Sequence, residues 1–171
     1  HDEHIRQVIV GNYRNAYFRL ANSYGDQIVK WSQESRALID SMQKGVVPQD
    51  SGQAIINEQN DLILEAQEKI RQLYRASNEK MPPSVIEKPI NLTLTEFQLL
   101  DRVAIKDLME EHLNEMVPNA MQDLEGYYRD RIRIDDRNLS LRAVLLSIQY
   151  YKKSQPELAQ RWASALKERA D

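Results

Sequence analysis

The chain has 171 residues, 42% hydrophobic and 29% charged, with 23 Lys and Arg against 26 Asp and Glu for a formal charge of −3. That is the range of a folded chain with its own core, and the near-balance, which holds in both halves, excludes the basic surface of a nucleic-acid binder. With no cysteine there is no disulfide or thiolate metal centre, and five glycines and six prolines are too few for a turn-rich β protein, so an all-α fold is expected.

From His4 to Met42 the chain has no proline and keeps one helical rhythm. Ile5, Ile9, Tyr13, Tyr17, Leu20, Tyr24, Ile28, Trp31, Leu38 and Met42 recur at three- and four-residue steps, with Ser35 filling the one gap. At about 1.5 Å per residue this helix is about 58 Å long, against a radius of gyration of about 15 Å for a compact globule of this length. An elongated molecule is expected. Gly11 and Gly25 mark close helix contacts or soft points in it, and Gly45 stands where a left-handed residue ends a helix.

After the loop Gly45 to Asp50, Asp50 or Ser51 is placed to cap a second helix. It runs through Ile56, Gln59, Ile63, Ala66, Ile70, Leu73 and Ser77 towards Met81. These steps average about 3.5 residues, the period of left-handed coiled-coil packing. An antiparallel hairpin over 1–80 follows, with Gln59 as a polar residue in its seam. The stretch 81–94 holds three prolines and reads as an extended connector.

Thr95-Glu96-Phe97-Gln98 has the form of a capping box, with Leu94 and Leu99 as a hydrophobic staple. The third helix then carries Phe97, Leu100, Ala104, Leu108 and His112 on one stripe, and Pro118 is expected to break or kink it. Between Arg129 and Arg137 four arginines and three aspartates alternate into a self-neutralised surface. Asn138 is placed to cap the next helix, and Pro156-Glu157 to open the last. The segment Leu141 to Arg169 resembles one unit of a tetratricopeptide-type hairpin in Tyr150-Tyr151-Lys152, Ala159 and Ala165-Leu166. No second copy follows, so it reads as an ordinary helical pair. The expected whole is a single helical domain over 1–171: an elongated bundle of four to five helices, with a long N-terminal hairpin, the connector 81–94, and the remaining helices over 95–171 ending in a C-terminal pair.

Catalytic and metal signatures are absent. There is no Glu-x-x-His pair for a di-iron centre. His1 and His4 are spaced for a metal but sit at the chain start, and His112, between Glu111 and Glu115, reads as a boundary histidine beside a carboxylate. No G-x-S-x-G turn and no phosphate-cradling glycine pattern occurs. No enzyme, no cofactor and no metal site is expected. The N-glycosylation triplets Asn91-Leu92-Thr93 and Asn138-Leu139-Ser140 are no more than chance supplies.

The most distinctive side chains lie between Asn12 and Tyr24. Tyr13, Tyr17 and Tyr24 fall on the apolar stripe, with Asn15, Arg19 and Asn22 on a polar stripe beside it. Such residues can line a pocket for a small polar or anionic ligand. The leading expectation is a non-catalytic interaction or scaffold module that meets a protein partner or itself through long amphipathic helices. The alternative is a sensor domain that holds a small ligand between helices at Tyr13, Asn15, Tyr17, Arg19, Asn22 and Tyr24. No segment is apolar enough to span a membrane. The start at His1 instead of Met allows for a removed N-terminal segment and an extracytoplasmic or membrane-anchored location.

Overall fold

A computed structural model describes residues 2–130 and 132–170. It is all-helical, without a strand among the described residues. In chain order the helices are α1 (Asp2–Gln43), α2 (Gln49–Lys80), α3 (Ile90–Arg102), α4 (Lys106–Arg129), α5 (Leu139–Ser154) and α6 (Pro156–Ala170). Six helices thus replace the expected four to five.

The additional break lies at Ala104, not at Pro118. α3 ends at Arg102, Ala104 takes a left-handed backbone (φ 59°), and Ile105 N–H returns to the Leu100 carbonyl at 3.0 Å while Ala104 N–H returns to Asp101 at 3.1 Å. This is a Schellman stop, completed by two fully buried side chains, Leu100 and Ile105. Pro118 is accommodated inside α4, where its ring lies on the exposed side.

The chain divides into two compact units, residues 1–87 with 99–105, and residues 88–98 with 106–171. In the first unit α1 and α2 pack against each other, with Ser35 meeting Gln59 and Arg14 reaching Met81. Gly45 closes α1 with φ 70° and the same pair of Schellman bonds, Gly45 N–H to Met42 and Val46 N–H to Ser41, each 3.0 Å. The N-cap of α2 is Pro48, with no side-chain cap bond, so neither Asp50 nor Ser51 caps it; both lie inside the helix.

The seam of the hairpin has a seven-residue period. Arg14, Ala21, Ile28 and Ser35 are the buried line of α1, and Ile56, Ala66, Ile70 and Ser77 lie on the facing line of α2. Two of its polar members meet: Ser35 Oγ donates to Gln59 Oε1 at 2.5 Å, and Gln59 Nε2 donates to Glu34 at 3.2 Å. Residues 99–105 lie against the hairpin. A Cβ on Gly25 would stand 2.5 Å from Leu99 Cδ1, Gln67 Nε2 donates to the Val103 carbonyl at 2.8 Å, and Arg102 pairs with Asp26 at 3.0 Å. Gly25 therefore marks a close contact, whereas Gly11 faces open space.

The connector is shorter than expected and turned instead of extended. It spans 81–89, with Val85 and Ile86 N–H folding back on the Pro82 carbonyl at 3.0 and 3.2 Å. α3 starts at Ile90, because the Pro89 carbonyl accepts from Leu92 and Thr93 N–H at 3.0 and 3.1 Å. The sequence Thr95 to Gln98 is consequently mid-helix and not a capping box. Thr95 Oγ1 donates backwards to the Asn91 carbonyl at 2.7 Å.

In the second unit Asn138 caps α5 as expected, its Oδ1 accepting from Leu141 N–H at 2.9 Å. Edge-to-face contacts run from Phe97 to Tyr150 (5.9 Å), Tyr150 to Tyr151 (5.1 Å) and Tyr151 to Trp162 (5.5 Å), joining α3, α5 and α6. Residues 132–138 form neither helix nor strand.

Candidate docking surface on α1

At about 100° per residue, α1 carries more than one apolar line. The buried line through Arg14, Ala21, Ile28 and Ser35 faces α2. A second line, Ile5, Ile9, Tyr13, Ala16, Leu20, lies about a third of a turn away and is exposed. Ile5, Ile9, Tyr13 and Leu20 are respectively 51, 50, 62 and 50% accessible. This line leads to Tyr24 and Trp31, which with Gln27 and, from α2, Leu62, Glu65, Ala66 and Lys69 enclose a cavity of about 230 Å³.

The reason for the exposure is length. Arg14 Nη2 donates to the carbonyl of Met81, the residue after the last of α2, at 3.0 Å. The turns of α1 before Arg14 therefore lie past the end of their partner helix, and every residue whose burial is described from Asp2 to Ile9 is exposed.

Of the six residues expected to line a pocket, Tyr13, Asn15 and Arg19 are exposed and Tyr17, Asn22 and Tyr24 are half-buried. They do not converge. Tyr24 lines the cavity just described. Asn22 lies on the other flank of α1, where its Oδ1 accepts from Arg102 Nη2 at 3.0 Å and its Nδ2 donates to Asp26 at 3.3 Å. The residue between the two stripes is the consequential one. Arg14 is 2% accessible, and its guanidinium donates to the carbonyls of Met81, Ile86 and Glu87 at 3.0, 2.6 and 3.0 Å. It ties the turned connector to α1. The signal for it was the seven-residue spacing to Ala21, Ile28 and Ser35.

The other concentrated chemistry is a buried ionic cluster in the second unit. Glu96 Oε2 accepts from Lys88 Nζ and meets His112 Nε2, each at 3.0 Å, and all three residues are 3 or 4% accessible. His112 is thus a core residue, and its carboxylate partner is Glu96 instead of the neighbouring Glu111 or Glu115. Its Nδ1 faces the Leu108 carbonyl at 2.8 Å, so both ring nitrogens have an oxygen within hydrogen-bond distance. Burial alone pushes the Glu96 carboxyl up, but the His112 hydrogen bond and the charges of Lys88 and His112 together hold it below its ordinary value. The cluster is closed to solvent and reads as a structural tie between Lys88, α3 and α4.

The pair His1 and His4, spaced for a metal but not expected to hold one, includes His1, which lies outside the described residues, as does Arg131 of the arginine-rich segment. Among the described residues no three His, Cys, Asp or Glu side chains are grouped to hold a metal ion, and no helix is long and apolar enough to cross a membrane. Comparison with family models, with curated proteins and with solved structures returns no match.

Proposed function

We propose that the chain is a non-catalytic helical docking module and that the exposed apolar line of α1 is the face that meets a protein partner. One observation carries this reading: Ile5, Ile9, Tyr13 and Leu20 recur at helical spacing on one side of α1, each at least 50% accessible. Scattered exposed apolar residues are ordinary, whereas a continuous line of them on a helix is the form in which amphipathic helices engage grooves.

A sensor holding a small polar or anionic ligand between α1 and α2 draws support from the cavity at Tyr24 alone. Its volume of about 230 Å³ falls below the roughly 300 Å³ at which ligand sites begin. Asn15, Arg19 and Asn22 lie on a different flank, so the docking reading is the better supported.

The test is a photo-crosslinking side chain placed at Ile9, Tyr13 or Leu20 in extract of the producing cell, with exposed Gln33 as control. Discrete protein adducts from the three line positions are expected. Yields no higher than at Gln33 would sink the proposal.

A further inference from the structure

In the second unit a groove of about 520 Å³ runs between α3 and α5. Both walls are helical, and both present side chains at the i, i+3, i+4, i+7 spacing that receives a third helix: Asn91, Leu94 and Gln98 on one, Arg142, Leu145 and Gln149 on the other. Leu145 at its rim is 49% accessible. Among the described residues no acidic side chain lines the groove. The Arg142 guanidinium, exposed at the edge, has no ion-pair partner among the described residues. A helix with an aliphatic ridge and a carboxylate about one turn from it would satisfy these walls.

This chain carries such a ridge. Asp2, Ile5 and Ile9 follow one another along one side of α1, in the turns that lie past the end of α2, and all three are exposed. We propose that copies of the chain associate head to tail: the first turns of α1 from one copy lie in the α3/α5 groove of the next. Asp2 meets Arg142, and Ile5 and Ile9 cover Leu94 and Leu145. The inference rests on the docking reading of α1 and names the partner as a second copy.

One pairing of α1 with itself is disfavoured by charge. In the antiparallel register that sets Ile5 opposite Trp31, Asp2 falls beside Glu34 and Arg6 beside Lys30, like charge against like. In the head-to-tail arrangement ridge and groove are different surfaces, so every bound pair leaves one of each free and growth continues to an open chain or a closed ring.

Sedimentation of the full chain tests this with two exposed-site variants, Ile9→Asp in the ridge and Arg142→Glu in the groove, each checked for unchanged helix content. Wild-type mass should rise with concentration past that of a dimer. Each variant alone should stay monomeric, and an equimolar mixture should stop at one dimer, because the intact groove of the first takes the intact ridge of the second. Asp2→Arg combined with Arg142→Glu should restore growth. A wild-type monomer at every concentration, self-association by Arg142→Glu alone, or a mixture that stays monomeric would each overturn the proposal. A crosslinker at Ile9 separates the two levels: adducts with a different protein from a monomeric chain remove the second copy and leave the docking reading, whereas no adduct with any protein removes both.

Discussion

Ala104 and Gly45 hold the same left-handed backbone at the ends of α3 and α1, with φ of 59° and 70°. The cost is about 1–2 kcal/mol for an L-residue and little for glycine. Ala104→Gly should therefore stabilise the chain by up to about 1 kcal/mol, read as a higher urea midpoint; a lower one would contradict the strain argument. The contrast also explains what could be read in advance. Glycine announces a left-handed stop by its chemistry, so Gly45 was legible, whereas the alanine at 104 continued the apolar stripe and hid the break. The Glu96 cluster was illegible for a related reason: Lys88 stood in a connector and Glu96 in an apparent cap, and only the early start of α3 brings both to His112. Its pH response has a defined sign. Because the Glu96 carboxyl titrates below its ordinary value of 4.5 in the folded chain, its contribution is complete above about pH 4.5 and is lost as pH falls through the folded value. Glu96→Gln should flatten this acid limb of stability against pH. At neutral pH it should cost about 3–5 kcal/mol, since it leaves Lys88 buried beside an uncharged amide.

Helix α1 shows why periodicity finds an element more readily than it assigns its faces. The stripe from Ile5 to Met42 fixed the helix, but it mixed a seam with an exposed line. Tyr13 and Leu20 were counted with Ile28 although they lie on another side. Arg14, on the buried line, does not register in a stripe of apolar residues, since a charged side chain is usually exposed. In α2 the seam was readable through Ser77, because its polar member Gln59 has a small partner, Ser35, at the matching height. The candidate surface was legible only as a region: the chemistry of residues 12 to 24 is unusual, but Tyr13 and Leu20 belong to the exposed line and Arg14 to the buried one. Arg14→Met keeps the length and removes the donors to three carbonyls. The three bonds are part-buried, so the carbonyls left behind are partly open to water, and a loss of about 1–3 kcal/mol in all is expected. Amide exchange should accelerate through 81–90 more than at Ser35 to Gln59. Uniform acceleration along the hairpin would mean that Arg14 does not act on the connector.

At the scale of the molecule, the two units are not consecutive in sequence: 88–98 belongs to the second and 99–105 to the first. The returning segment supplies the Val103 carbonyl to Gln67, Arg102 to Asp26 and Leu99 to the side of Gly25. A fragment ending at residue 105 should consequently melt higher than one ending at 87, measured by far-ultraviolet circular dichroism. Equal melting points would show that the hairpin is complete without the segment.

That interleaving reaches beyond stability, into how such a chain is made and inherited. On the ribosome the first unit is complete only once residue 105 has been added, by which time the first stretch of the second, 88–98, has already been made. In a genome no single crossover point separates the two, because the chain passes between them at 87/88, 98/99 and 105/106. The pair is synthesised, and must be exchanged between genes, as one block.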